Sequence, residues 1–208
     1  MPVIRESLTN QLYREGIGED LWNFANGIYP ICRSISGNGV RETLAHVQRL
    51  IDLEIHEVPS GTQVFDWTIA PEWNIRDAWI KDPQGNKIID FKKHNLHVLN
   101  YSAPISGKFQ LEDLKKHIFT MPDQPDLIPY RTSYYNINWG FCMSHDQLMS
   151  LPDGEYEAFI DSDHNPEGSL TYGEYFLQGE SDEIFLISAH CCHPSLANDN
   201  CSGISVNS

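Results

Sequence analysis

The stretch that decides the fold reads Ile184-Phe185-Leu186-Ile187-Ser188-Ala189-His190-Cys191-Cys192-His193-Pro194-Ser195-Leu196-Ala197-Asn198-Asp199-Asn200-Cys201-Ser202-Gly203. Its first four residues are continuously apolar, the pattern of a strand covered on both faces in a layered α/β domain. A strand over Glu183–Ala189 therefore ends at His190, and a Pro-containing turn leads on to Asp199. Ligands of open α/β sheets collect at the carboxyl ends of strands. Imidazole and carboxylate together suit zinc or a similar divalent ion. A hydrogen-bonded turn is the competing reading, because Asn-Asp-Asn favours turns by itself. A structural knot of Cys191, Cys192, His190 and His193 is disfavoured. Consecutive residues of an extended chain point alternately to opposite sides, and structural zinc sites use spaced ligand pairs.

Upstream, Ser169–Leu177 is a second strand candidate, separated from the first by a Gly179-Glu180-Ser181-Asp182 turn. At the other end of the chain, Leu21, Phe24, Ala25 and Ile28 recur at helical spacing, predicting a helix over Asp20–Tyr29 with Asp20 as its N-cap and Pro30 as its stop. A turn-rich loop, Arg33-Ser34-Ile35-Ser36-Gly37-Asn38-Gly39, precedes a second predicted helix over Val40–Leu53. The charged residues Arg33, Arg41 and Glu42 read as the solvated flank of this connection, with a pocket wall as the alternative. Residues 60–166 differ in character, with short apolar runs broken by Gly, Asn, Asp and Pro. Ala78–Ile80 and Lys87–Phe91 flank a hairpin loop, while Leu96–Tyr101 and Tyr156–Ile160 are further strands. Leu111–Phe119 is a short helix, and Ser144 with Gln147 forms a capping box that opens another. Tyr130, Tyr134, Tyr135 and Trp139 form an aromatic group that reads as core, with a ligand groove as the alternative. Glu155, Glu157, Asp161 and Asp163 form a solvated acidic face.

The whole chain of 208 residues carries 14 Lys and Arg against 29 Asp and Glu, a formal charge of −15. Nucleic acid and anionic membrane surfaces are thereby disfavoured as partners. No apolar run reaches the ~20 residues that span a bilayer. Five cysteines without a regular framework (Cys32, Cys142, Cys191, Cys192 and Cys201) point to a reduced, cytoplasmic setting.

Ile187-Ser188-Ala189-His190, followed by Asn198-Asp199-Asn200-Cys201-Ser202-Gly203 and preceded by Tyr172–Gly179, resembles the co-catalytic zinc aminopeptidases. A more specific resemblance is to a bacterial subfamily of uncharacterised aminopeptidase-like proteins associated with polysaccharide-biosynthesis loci. It is carried by Tyr29-Pro30-Ile31-Cys32-Arg33-Ser34-Ile35-Ser36-Gly37-Asn38-Gly39-Val40-Arg41-Glu42-Thr43-Leu44, Asp66-Trp67-Thr68 and Glu72-Trp73-Asn74-Ile75. It continues through Ile128-Pro129-Tyr130-Arg131-Thr132-Ser133-Tyr134-Tyr135, Trp139-Gly140-Phe141-Cys142 and Cys192-His193-Pro194-Ser195-Leu196-Ala197-Asn198. The resemblance runs over about residues 18 to 206.

The resemblance implies an α/β, zinc-exopeptidase-like sheet with helices, carrying an inserted mostly-β domain. On that view residues 1–58 are the N-terminal helical part, 59–166 the inserted domain, and 167–208 the peptidase-like strands and the start of the metal motif. It also implies two zinc ions in the full-length protein, with His190 a terminal ligand and Asp199 a bridging one, and often a cis peptide after that Asp. The family's second-shell Asp is Cys192 here, so His193 stands as an alternative ligand or orienting group. The family's catalytic Glu, remaining carboxylate and final His correspond to positions past Ser208, which reads as a C-terminally truncated chain, inactive alone. The implied activity is cleavage of an N-terminal residue or aminoacyl amide from a peptide or small aminoacyl substrate. The alternative is a catalytically lapsed module that binds a peptide or glycan.

Overall fold

The computed structural model describes residues 15–134 and 136–208. Tyr135 lies outside the described residues. Helix α1 (Ile17–Ile28) buries Ile28 and packs Phe24 and Ala25 inward, as the spacing predicts. It begins earlier than expected: Gly16 is the N-cap, and Asp20 sits in the first turn, where a carboxylate favours the positive end of the helix dipole. Helix α2 (Asn38–Val47) ends six residues short of the predicted Leu53. The chain turns at Gln48–Leu50 and enters a strand, β1 (Glu54–Pro59). Its partner is β10 (Ser169–Glu174), in antiparallel register from Glu54↔Glu174 to Pro59↔Ser169. Residues 60–168 thus leave and return at neighbouring points of one two-stranded ribbon.

Between those points the chain builds a four-stranded antiparallel sheet, with strand order β5-β4-β9-β6. The short hairpin β2 (Gln63–Val64) and β3 (Trp67–Thr68) precedes it. The central pair is β4 (Glu72–Lys81) and β9 (Glu155–Asn165), far longer than the predicted Ala78–Ile80 and Tyr156–Ile160. The hairpin to β5 (Lys87–Asp90) forms as expected, and β6 (Ile105–Gln110) completes the sheet. Alternation explains the core: Ala78, Ile80, Tyr156, Ala158 and Ile160 point to one face and are buried with Ile89, Leu114 and Phe141. On the opposite face Trp79 stacks on Phe159 at 5.2 Å, and Lys81 lies 4.3 Å above the Trp79 ring. The acidic residues of β9 form cross-strand ion pairs there, Glu157 with Lys81, Glu155 with Lys108, and Asp161 and Asp163 with Arg76.

Three short pieces finish this part. Helix α3 (Leu111–Leu114) runs into a tight helical turn at Lys115–His117, and β7 (Ile118–Phe119) pairs in parallel with β8 (Phe141–Cys142). Helix α4 (His145–Met149) starts at Ser144, whose hydroxyl accepts the Gln147 backbone N–H at 3.1 Å. Only half of the predicted box forms, because the Gln147 side chain donates instead to Ile88 O. Ser144→Ala is expected to cost about 1 kcal/mol in chemical denaturation, the usual loss of a cap. The expected strand Leu96–Tyr101 is instead a one-turn helix, Asn95–His97, set by the His94 ring accepting the Leu96 N–H.

The largest departure is at 183–189. No strand lies beside this segment among the described residues, and Ile184 and Phe185 are 81% and 97% exposed. A strand needs a neighbour for its backbone groups; apolar composition alone does not supply one. The chain regains regular structure in α5 (Ser202–Asn207), which packs on α1 through Ile204 with Ile28, Ile31, Val47 and Cys201 in a second core.

Candidate functional site

The loop from Cys191 to Cys201 hangs from the carboxyl end of α1. Ser195, at φ 31°, donates from its hydroxyl to Tyr29 O at 3.0 Å. Arg33 donates through Nε to His193 O at 2.8 Å, and the Tyr134 hydroxyl approaches Cys192 O at 3.5 Å. The Asp199–Asn200 peptide bond is cis, as the resemblance implied. The turn folds back so that His193 Nδ1 lies 3.2 Å from Asp199 Oδ2 and 3.1 Å from Asp199 O.

Of the three predicted ligands, the structure therefore brings His193 and Asp199 together. His190 is exposed, with its ring 6.4 Å from that of His193. Among the described residues no three His, Cys, Asp or Glu side chains converge as a metal-binding group. Two donors on one tetrahedral zinc, with bonds of roughly 2.0–2.1 Å, stand about 3.3 Å apart. The 3.2 Å between His193 and Asp199 is compatible with that spacing, and it is equally that of a hydrogen-bonded pair. Burial pushes the neighbouring Cys191 thiol up to about 11 and also raises that of Cys192.

Two contributors escaped the sequence reading. Arg33, read as solvated, is 1% exposed. Besides His193 it bonds Ile28 O at 2.6 Å, Thr43 Oγ1 at 3.3 Å and Cys201 Sγ at 3.1 Å. The aromatic group divides. Tyr130 packs its ring 4.9 Å from that of His193, and its hydroxyl lies 2.7 Å from that of Tyr134, so these two wall the site. Burial raises the pKa of both phenols, so they stand as neutral hydroxyls. Trp139 stacks on His117 at 3.7 Å and joins the sheet core instead. A separate cleft of about 390 Å³ lies beside the Tyr29–Gly39 loop, lined by Ile31, Cys32, Glu42, Trp73, Ile75 and Phe91 and by none of the three predicted ligands.

This mixed helix-and-sheet architecture, with its small sheets, is similar to that of a solved structure named as a peptidase. Residues 72–163, which span β4 through most of β9, match the family described as "Domain of unknown function (DUF2172)". Over 189 residues the chain is 49% identical to the "Putative polysaccharide biosynthesis protein with aminopeptidase-like domain" of Clostridium acetobutylicum, covering 91% of this chain and 43% of that protein. A crystal structure of a "putative peptidase" from the same organism superposes with a TM-score of 0.91 at 47% identity, covering 99% of this chain and 48% of the other. The chain is a relative of these aminopeptidase-like proteins and spans less than half their length. No described helix is long and apolar enough to cross a membrane.

Proposed function

We propose that the chain is part of a zinc-dependent aminopeptidase-like hydrolase that removes an N-terminal residue or an aminoacyl group from a peptide or small aminoacyl substrate. The observation that carries this reading is the pairing of His193 with Asp199 at 3.2 Å on one loop. Two zinc ions would supply carbonyl polarisation and a water acidified towards a pKa of about 7. His193 and Asp199 would hold one ion, with His190 within one ring's reach. The remaining donors and the general base belong to sequence corresponding to the rest of the longer relatives. The same length would supply neighbours for the bare apolar segment 183–189, so that residues 59–166 become a module inserted into a peptidase-like sheet. The pairing of Pro59 with Ser169 supports that arrangement. Five free cysteines support a reduced, cytoplasmic location.

Calorimetric titration of the purified chain with zinc tests the reading. Binding is expected in the wild type, weakened at least tenfold by His193→Ala and by Asp199→Asn, with no amino-terminal hydrolysis by the 208 residues alone. Zinc affinity unaffected by both substitutions, or no uptake at all, would sink it. In that event the second reading gains: a lapsed fold that binds a peptide or glycan through Tyr130, which stands beside His193, and Tyr134, which bonds Tyr130 where the half-buried Cys192 takes the place of the family's carboxylate.

A further inference from the structure

We infer that Arg33 is the positioning residue of the His193–Asp199 pair: its guanidinium clamps both ends of the loop that carries them. The inference rests on the proposed metal role for what is positioned, and on geometry alone for the clamp.

Four bonds define it. Nε donates to His193 O at 2.8 Å and Nη2 to Cys201 Sγ at 3.1 Å, so one rigid plane fixes the first and last residues of the 193–201 turn. Nη1 donates to Ile28 O at 2.6 Å, a carbonyl at the end of α1 that also accepts the Ile31 N–H at 3.2 Å, and to Thr43 Oγ1 at 3.3 Å. Thr43 passes its own proton to Gly39 O at 2.8 Å, which ties the plane to α2. Arg33 thereby connects two helices to the loop, and the positive charge sits where the α1 dipole is negative.

Burying a cation is costly, and no carboxylate pairs with Arg33 among the described residues. A residue that served only to fill space at this position would be apolar. Its forked donors match a different requirement, the fixed separation of two loop ends. Asp199 is exposed, and the loop's other ties, the Ser195 hydroxyl to Tyr29 O and the Cys201 N–H to Leu196 O, leave His193 and its carbonyl to the Arg33 end of the clamp. Lysine cannot reproduce the clamp, because a single ammonium is a point donor without the planar fork.

The test compares wild type, Arg33→Lys and Arg33→Met in two measurements, amide hydrogen exchange in chelator-treated buffer and zinc affinity by calorimetry. Exchange across 193–201, including the Cys201 amide that bonds Leu196 O at 3.3 Å, is expected to rise at least tenfold in both variants while β9 peptides stay unchanged. Zinc affinity is expected to fall roughly 10–100-fold, the usual cost of losing an orienting partner of a ligand. Arg33→Lys keeps the buried charge but loses the fork and is expected to melt below the wild type, so positioning is separated from support of the fold by where exchange rises, in 193–201 and not in β9. Unchanged exchange in this loop overturns the clamp, and so does a rise spread equally over the sheet. If the wild type takes up no zinc but both variants loosen only this loop, the metal reading falls and the clamp stands.

Discussion

Arg41→Met is expected to lower the unfolding free energy by about 3 kcal/mol at neutral pH, the usual order for removing one partner of a buried ion pair. Arg41, on α2, grips Glu72 at the start of β4 through both terminal nitrogens, at 2.8 and 2.7 Å. Its Nε holds Glu57 of β1 at 2.9 Å, and Nη2 reaches Ser169 of β10 at 3.2 Å. One side chain thus ties the helical part, the ribbon and the sheet together. Glu72 is 6% exposed, so its carboxylate has little water to fall back on when the guanidinium is removed. Its remaining donors, the Ser169 N–H and the Asn74 amide, are both at 3.0 Å and carry no charge. The expected readout is a melting point lower by about 6–12 °C for a chain of this size.

The same pair sets an acid limit. The Arg41 guanidinium holds the Glu72 carboxyl down at about 2 against an ordinary 4.5. A group whose folded pKa is depressed stabilises above its unfolded value and loses that contribution as pH falls towards the folded one. Wild type and Arg41→Met should therefore differ fully above pH 4.5 and converge between there and pH 2. The double variant Arg41→Met/Glu72→Gln is expected to recover part of the loss at pH 7, since no buried charge is then left alone. A single variant as stable as the wild type at neutral pH, or a difference that does not shrink on acidification, would contradict the assignment.

The pairing explains what could be read along the chain and what could not. Ala78, Ile80 and Ile89 alternate within a hairpin whose turn residues are local, so strands β4 and β5 were legible at their centres. Their full length was not, because the outer residues of β4 are held by β9, far along the chain. Strand β1 was hidden for a related reason: Leu50 and Ile51 continue the helical spacing of α2, and neither Gly nor Pro follows Val47 to mark its end. At the site, His193 and Asp199 were visible as ligand types at short spacing. Arg33 was not, since its bond to His193 spans 160 positions and its charge suggested water. Tyr130 and Tyr134 belong to the same case. Aromatic residues are ordinary core material, and only the folded arrangement places Tyr130 against the His193 imidazole and Tyr134 against Tyr130. At Ile184–Ile187 the local pattern was read correctly as apolar, but a strand is a property of two segments.

Gly39→Ala is expected to destabilise the chain by about 3 kcal/mol, at the upper end of what overpacking costs. The backbone conformation of Gly39 is an ordinary helical one within α2, so alanine would by itself favour the helix. What forbids it is a close approach. A methyl carbon at this position would stand 2.0 Å from Cys32 O, 2.7 Å from Cys32 C and 3.2 Å from Arg33 Cα. All three are backbone atoms, so no rotamer change gives relief, and the Cys32–Arg33 segment or the helix must move. Movement there displaces the Arg33 guanidinium from the carbonyls of Ile28 and His193. Gly27, in the last turn of α1, has no atom within 4 Å of the same added carbon, and Gly27→Ala is expected to be neutral or stabilising by up to about 1 kcal/mol. Urea unfolding of the two variants side by side separates steric exclusion from helix propensity: propensity alone would stabilise both. If Gly39→Ala also loosens exchange across 193–201 while Gly27→Ala does not, the turn-rich loop and the 193–201 loop are mechanically one unit. A Gly39→Ala variant as stable as the wild type would show that the approach of α2 to Cys32 is looser than 2.0 Å implies.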